Sequence, residues 1–295
     1  PTTSSAASDV YKRQLPSQVT EARGTLGELG WLSKQVRGDL STQVSMGQQS
    51  MPRPTVRDIR RINHCVRRAK QHDDTVIQYS SIPVPELSFV LHCDSSLCNA
   101  RKKGTQAGYS IAATSRALGE NKTAPWNPIR WKSGRLKRVV TSTLSGETQA
   151  YMQGLRELEW TLTMAHEILF NRTEFDNREQ YLKEIPSVAV TDCKSLFDVM
   201  MSKTVSNVQD REAALDTLVC RQIVRRTGTV TRWCPGSMNV ADVLTKDEGS
   251  ASDLWRSCVR SGLLTLASES ETLMRRSEEK ERRQDLALRR QNQEK

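Results

Sequence analysis

The stretch SVAVTDCKSLFDVM, residues 187–200, places an acidic residue where a predicted strand passes directly into a predicted helix. Val188 and Val190 alternate with smaller residues, which is typical of a short buried strand, and this strand ends at Asp192. Apolar residues from Leu196 onward then recur at the spacing of one helical face. A carboxylate at the end of a central strand is costly unless it caps a helix, pairs with a basic group or binds a metal. Asp192 is therefore a candidate for one of these three roles.

Similar patterns along the chain predict a mixed sheet. Strands are predicted at LSFVLHCDSS (87–96), AGYSIAATS (107–115), PIRWKSGRLKRVVTS (128–142, with a turn signal at KSG) and TVTRWCP (229–235). Helices are predicted from about Ser145, as N-cap, to Phe170 and from about Asp210 to Thr227, where Gly228 ends the helix. Clustered strands followed by the order strand–helix–helix–strand–helix favour a mixed α/β sheet with helices on both faces.

The segments outside this sheet differ from it in character. Residues 1–16 show no periodicity and no starting Met, and we expect a disordered leader of cloning or adaptor origin. Residues 17–80 have helical apolar spacing, and residues 249–265 predict a terminal helix. The tail, residues 266–295, is mostly charged and predicts a solvated helix or disorder.

The formal net charge of +10 favours a polyanionic partner, with nucleic acid ahead of a membrane surface. A basic tail that serves solubility is the competing explanation. Aromatic residues make up only 5% of the chain, which argues against stacking platforms for single strands. Seven cysteines form no CxxC pair, and no long apolar run or secretory leader is visible. We therefore expect reduced thiols in an intracellular protein that does not enter a membrane.

Four acids share a placement in this predicted fold: Asp94, Glu147, Asp192 and Asp242. Asp94 and Asp192 stand at the ends of predicted strands. Glu147 lies in the first turn of a helix that faces the sheet, and Asp242 opens the final helix. Ligands of open α/β sheets bind at the carboxyl ends of strands, where these acids would meet. Carboxylates in that number suit Mg²⁺ or Mn²⁺, and two such ions ~4 Å apart would support phosphodiester hydrolysis. Each acid taken singly also fits a helix cap or a turn, so spacing alone leaves both interpretations open.

The segments VTDCKSLFDVM and DREAALDTLVCRQIVRRTGTVTRWCPGSMNVADVLTK resemble the RNase H domain of Pol polyproteins from copia-type LTR retrotransposons. The ADVLTK ending is the most specific part, and HCDSS and SGETQA resemble the first two acidic motifs. The resemblance covers residues 85–248 and implies an RNase H-like sheet of three antiparallel and then two parallel strands. It also implies that Asp94, Glu147, Asp192 and Asp242 are the catalytic metal ligands. Upstream, residues 17–80 resemble the helical end of the adjoining reverse transcriptase, a thumb or connection segment.

This resemblance implies a metal-dependent endonuclease that cuts the RNA strand of RNA/DNA hybrids and leaves a 3′ hydroxyl. It further implies the rest of the reverse transcriptase as a partner and a cytoplasmic particle or the nucleus as the location. No Y-x-D-D motif occurs, so we expect no polymerase activity from this chain. Many RNase H enzymes carry a His in the loop before the last acid, whereas CPGSMNVAD has Asn239. A weak or inactive module that binds hybrid therefore stays open as a second interpretation.

Basic and polar residues near the predicted acids are candidates for contact with the hybrid backbone. They are Ser95, Asn99, Arg101, Lys102, Lys103, Arg135, Lys137 and Arg138. A further set of arginines shares one face of the predicted helix at residues 56–68 and fits a solvated face or a phosphate-binding face equally well. Two more functions fit the sequence: a nuclease of the integrase or resolvase type that cuts duplex DNA, and a basic scaffold whose acids only cap helices.

Overall fold

The computed structural model describes residues 15–51, 53–172, 177–247, 249–270 and 272–274, together with residues 278 and 282. Residues 1–14 of the predicted leader and most of the predicted charged tail lie outside the described residues. Within the described part of the chain, no helix combines the length and apolar character needed to cross a membrane.

An N-terminal helical segment is followed by four strands, and helices and strands then follow in mixed order. The helices are α1 (Pro16–Gln35), α2 (Ser41–Ser50), α3 (Val56–Gln71), α4 (Thr143–Phe170), α5 (Arg178–Tyr181), α6 (Lys194–Met201), α7 (Arg211–Thr227) and α8 (Gly249–Ser261). The strands are β1 (Leu87–Ala100), β2 (Gly104–Ser115), β3 (Ala124–Pro125), β4 (Asn127–Arg135), β5 (Ser187–Thr191), β6 (Val230–Trp233) and β7 (Leu263–Leu264).

The main sheet has five strands in the order β4-β2-β1-β5-β6. Strands β4, β2 and β1 pair antiparallel, whereas β5 runs parallel to both β1 and β6. This is the predicted RNase H-like architecture of three antiparallel and then two parallel strands, so that prediction is confirmed.

Apolar side chains bury both faces of the sheet. On one face, Tyr151, Leu155 and Leu158 of α4 pack with Leu91 of β1 and with α7. On the other face, Trp126 and Trp255 meet edge to face with their ring centroids 5.3 Å apart. They lie in a second core that includes Leu244 and Val259. The two cores hold the sheet rigidly from both sides, which fixes the positions of groups at its edges.

Several element boundaries differ from the sequence-based expectation. Two elements are shorter than predicted, since β4 ends at Arg135 and not at residue 142, and α8 ends at Ser261 and not at residue 265. Strand β4 runs through KSG without a turn, because Ser133 and Gly134 pair in register with β2. Helix α4 begins before Ser145, and Ser142 is its cap, since the Ser142 hydroxyl accepts a hydrogen bond from the Ser145 backbone N–H at 3.0 Å. Strand β1 continues past Asp94 to Ala100, because Ser95 and Ser96 still pair with β2.

The N-terminal helices form a small core of their own around Leu26, Leu29 and Ile62 and dock against the region of residues 243–256. The Thr42 hydroxyl donates to the Val243 carbonyl at 2.7 Å, which joins α2 to the segment that follows β6. The Trp131 indole N–H donates to the Ser33 carbonyl at 2.8 Å, which joins α1 to the sheet. The helical segment is therefore packed directly against the sheet and its C-terminal loops.

Candidate metal centre

The pairing of β1 with β5 places two of the predicted acids side by side. The last paired residues of these parallel strands are Cys93 and Thr191, so Asp94 and Asp192 each follow at the same level. Helix α4 crosses above them and presents Glu147. It can approach β1 closely because Gly154 has no side chain, and a Cβ there would lie 2.5 Å from the Cys93 sulfur. Glu147 lies in the second turn of α4 and not the first, since the cap of the helix is Ser142, three residues earlier than the expected Ser145.

Three carboxylates converge at this edge of the sheet. Asp94, Glu147 and Asp192 each offer an oxygen, and these atoms all lie within 4.8 Å of one another. We call these three residues the acid cluster; Asp94 and Glu147 are buried and Asp192 is half-buried. A compact set of hard carboxylate oxygens fits Mg²⁺ or Mn²⁺.

The electrostatics of the acid cluster favour a cation. Burial and then the nearby charges of Asp192 and Asp242 raise the pKa of Asp94 to about 7. Burial, followed by the charges of Asp94 and Asp192, raises the pKa of Glu147 well above its ordinary value. Among the described residues, nothing donates a hydrogen bond to the buried Oε2 atom of Glu147. A buried carboxylate oxygen without a donor is costly, and a bound cation would satisfy it.

Asp242 lies beside the acid cluster and is held by a lysine. Its Oδ1 atom accepts a hydrogen bond from Lys246 Nζ at 2.8 Å, and the same ammonium lies 3.6 Å from Asp94 Oδ2. Burial would lower the pKa of Lys246, but the charges of Asp94 and Asp242 outweigh it and raise that pKa. The neighbouring Thr245 hydroxyl also donates to Asp94 Oδ2.

Sequence reasoning assigned no role to Lys246 or Thr245. Both belong to the ADVLTK motif, and Lys246 follows Asp242 by one helical turn. That spacing suggests an ion pair, but only the fold shows that the ammonium reaches Asp94 on the central strand.

Asn239 joins the loop before Asp242 to the acid cluster. Its side-chain amide donates to the Cys93 carbonyl at 2.9 Å and to Asp192 Oδ1 at 3.1 Å, and its own oxygen accepts from the Ala241 backbone N–H. All three contacts are internal and Asn239 is fully buried. The residue at the position where a His was expected therefore orients Asp192.

The helix-cap interpretation fails for two of the acids. Helix α6 has Cys193 at its cap position and no capping hydrogen bond from a side chain, so Asp192 does not cap it. Asp242 lies inside a short 3-10 helix, Val240–Leu244, whose cap is the Asn239 side chain. Asp94 does not begin a turn, because β1 continues beyond it.

The predicted backbone-contact residues divide into three groups. Ser95 hydrogen-bonds Glu147, and the Asn99 amide donates to the Thr245 carbonyl at 2.8 Å, so both lie next to the acids. Arg101, Lys102 and Arg135 line a cavity of about 520 Å³, although Arg101 also donates to the Gln49 carbonyl.

The third group lies farther along the sheet. Lys137 and Arg138 line a separate cavity of about 540 Å³ with Arg135. Arg138 is already paired there with Asp216, at 2.5 Å and 3.1 Å. Lys103 ends the short turn Arg101–Lys103 between β1 and β2.

Several solved structures are similar to part of this chain. One is the N-terminal RNase H domain of a Mycobacterium tuberculosis protein, at 13% identity and a TM-score of 0.34, covering 59% of this chain and 98% of that one. Another is RNase H1 from the archaeon Halobacterium salinarum, at 11% identity and a TM-score of 0.35, covering 54% and 94%. A third is a foamy viral protease-reverse transcriptase in complex with RNA/DNA hybrid, at 13% identity and a TM-score of 0.32, covering 57% and 21%.

These likenesses are weak and carry no conclusion about the activity of this chain. No protein-family model matches the sequence, and no curated protein matches it significantly. The functional argument therefore depends on the residues of the site.

Proposed function

We propose that this protein is a metal-dependent endoribonuclease that cuts the RNA strand of RNA/DNA hybrids. One observation carries the proposal: the oxygens of Asp94, Glu147 and Asp192 converge within 4.8 Å of one another at the carboxyl end of the parallel strands. Converging carboxylate oxygens of this kind suit divalent cations, so the chemistry of the site would be metal-assisted hydrolysis.

The chain's own residues would hold and orient the metals. Asp94, Glu147 and Asp192 would be ligands, and Asp242 would complete the set from the side. When bound, Mg²⁺ or Mn²⁺ ions would activate a water and stabilise the leaving oxygen of the phosphodiester. Asn239 fixes the orientation of Asp192 through the hydrogen bond at 3.1 Å. Lys246 balances part of the negative charge while it contacts Asp94 and Asp242.

We further propose that the chain comes from the Pol polyprotein of a copia-type retrotransposon. The support is the sequence resemblance over residues 85–248, above all the ADVLTK motif. On this proposal residues 17–80 are the end of the reverse transcriptase, and the protein acts inside the cell beside the remaining polymerase. The basic residues around the two cavities at Arg135 would contact phosphates.

Cleavage of a labelled RNA/DNA hybrid by the full chain in Mg²⁺ or Mn²⁺ tests the proposal. We expect cuts in the RNA strand, with a loss of at least ~100-fold in Asp192→Asn, since a ligand and its charge are removed. Asp198→Asn is the matched control, because Asp198 follows Asp192 closely in the chain but is exposed, and it should retain activity.

Three further results would point elsewhere. Hybrid binding without cleavage would favour an inactive binding module, and cleavage of duplex DNA in preference to hybrid would favour a nuclease of the integrase or resolvase type. Equal activity of wild type and Asp192→Asn would refute the assignment of the site.

A further inference from the structure

Helix α3 carries a row of arginines without internal partners. Arg57, Arg60, Arg61 and Arg67 are exposed, and no acid among the described residues forms an ion pair with them. Arg68 differs, since its guanidinium lies 2.8 Å from Asp247. The row is therefore a concentrated positive charge that no acid in the described part of the chain neutralises.

These arginines line a cavity of about 410 Å³ between α3 and α2, with Asn99 and Asp247 at its end. We call it the arginine groove. The two acids that line it are already engaged. Asp58 accepts hydrogen bonds from Thr55 in the cap of α3, and Asp247 pairs with Arg68 and Gln43. The groove is thus a concave surface with an excess of guanidinium groups.

Two residues that line the arginine groove, Asn99 and Asp247, are connected to the acid cluster. Asn99 donates to the Thr245 carbonyl at 2.8 Å, and the Thr245 hydroxyl donates to Asp94. Asp247 directly follows Lys246, whose ammonium lies 3.6 Å from Asp94 Oδ2. Two short connections of hydrogen bonds and adjacent residues therefore join the end of the groove to the acids.

Helix α3 is also held firmly in place relative to the acids. Arg37 donates to the Ala69 carbonyl at 3.0 Å and to the His72 carbonyl at 2.7 Å, which ties down the C-terminal end of the helix. The other tie is the pairing of Arg68 with Asp247. A rigid charged surface loses little entropy when it binds a rigid ligand.

We propose that the arginine groove binds the phosphate backbone of the nucleic acid whose scissile phosphate lies at the acid cluster. This inference rests on the proposed function, which it extends to a second contact region on the N-terminal helices. Guanidinium groups match phosphate oxygens with two parallel hydrogen bonds, and exposed arginines remain available for them. Contacts to phosphate carry no base information, so we expect binding that does not depend on sequence.

The test compares two sets of three substitutions in the full chain. One set is Arg60→Gln, Arg61→Gln and Arg67→Gln in the groove. The matched control, with the same loss of charge, is Arg116→Gln, Arg211→Gln and Arg225→Gln, all exposed and outside the groove. Binding of a labelled RNA/DNA hybrid is measured in EDTA over a range of salt concentrations, so that cleavage does not interfere.

Each lost phosphate contact should lower the slope of log affinity against log salt by about 0.9. The groove variant should therefore have a slope smaller by about 2–3 than wild type, whereas the control should change by less than about 1. Changing the same three residues to Lys should restore most of the slope, because a point charge still binds phosphate. Unchanged thermal midpoints would show that all variants are folded.

Equal slopes in the groove and control variants would overturn the inference, as would undetectable hybrid binding by wild type. Competition by polyglutamate as strong as that by hybrid of equal charge would also overturn it, in favour of an acidic protein partner. If wild type cuts no hybrid but the groove variant still shows a smaller salt slope, the proposed cleavage is refuted. Binding of the phosphate backbone by the groove is then still supported.

Discussion

Two sites in this protein contain buried carboxylates and differ in how the negative charge is compensated. Asp39 is fully buried between two guanidiniums, with Arg37 at 2.8 Å and Arg256 at 3.3 Å. Burial alone would raise the pKa of Asp39, but its hydrogen bonds and charge interactions with these arginines lower it below its ordinary value. The fold has thus supplied this acid with basic partners of its own.

The acid cluster has less compensating positive charge among the described residues. Asp94 and Glu147 are buried, their pKa values are raised, and Lys246 is the basic group that contacts the set through Asp94 and Asp242. The contrast teaches that burial of acids in this fold is not itself a sign of function, since Asp39 is a structural ion pair. What indicates a function is the unbalanced negative charge of the acid cluster, which a divalent cation would neutralise.

The largest difference between the two sites should appear when one acid is neutralised. Asp39→Asn leaves Arg37 buried without its counter-charge and leaves Arg256 with the exposed Asp253 as its acidic partner, so we expect a loss of about 3–5 kcal/mol in the free energy of unfolding. Urea denaturation measures it. The control is Asp74→Asn, which removes an exposed ion pair with Arg260 and should cost at most about 1 kcal/mol. A similarly small loss for Asp39→Asn would remove the contrast.

Neutralising Asp94 should increase the free energy of unfolding, whereas neutralising Asp39 should decrease it. The folded protein keeps a proton on Asp94 up to about pH 7, above the ordinary value of 3.8. Over that range the folded state binds more protons than the unfolded state, so the stability of the ion-free protein falls as pH rises from about 4 to about 7. Asp94→Asn removes this penalty.

We expect Asp94→Asn to be more stable than wild type by about 2–4 kcal/mol at pH 8 in EDTA, at about 1.4 kcal/mol for each pKa unit. The gain should shrink as the pH falls and approach zero only below about pH 4, where Asp94 is protonated in both the folded and the unfolded state. Denaturation at several pH values measures it, with the exposed Asp198→Asn as a control that should follow the wild-type profile. A gain that is the same at pH 5 and pH 8 would show that Asp94 does not carry the penalty.

A smaller effect should follow from loss of the amide that orients the cluster. Asn239→Ala leaves the Cys93 carbonyl and Asp192 without their donor, and should cost about 1–3 kcal/mol of stability. It should also reduce hybrid cleavage, since Asp192 loses its fixed orientation. Asn207→Ala, at an exposed position, should change stability by no more than about 0.5 kcal/mol. Full activity of Asn239→Ala would contradict the orienting role.

The sequence was sufficient to predict the sheet but not the contacts that surround the acids. Alternation and motif resemblance predicted the five strands and placed Asp192 directly after its strand, because both signals are local. Asp94 was expected at a strand end but lies within β1. The Asn239 contact with the Cys93 carbonyl and the Thr245 contact with Asp94 join residues 146 and 151 positions apart. Such pairs depend on the register of β1 with β5, which local patterns do not encode.

The docking of the N-terminal helices was also beyond sequence reasoning. Their arginine row fitted a solvated face as well as a binding face, and only its closeness to Asn99 and Asp247 connects it with the acids. The turn expected at KSG failed for a related reason, since pairing of Ser133 and Gly134 with β2 overrides the local turn preference.

The most direct test of the account is a titration of the ion-free protein with Mn²⁺, followed by the electron paramagnetic resonance signal of the free ion. Wild type should remove Mn²⁺ from solution, and Glu147→Gln should weaken that binding by at least ~10-fold, because it removes one of the three converging carboxylates. Asp39→Asn should leave Mn²⁺ affinity unchanged if the protein remains folded. Binding that is absent in wild type, or equally strong in Glu147→Gln, would contradict the claim that the acid cluster is a metal centre.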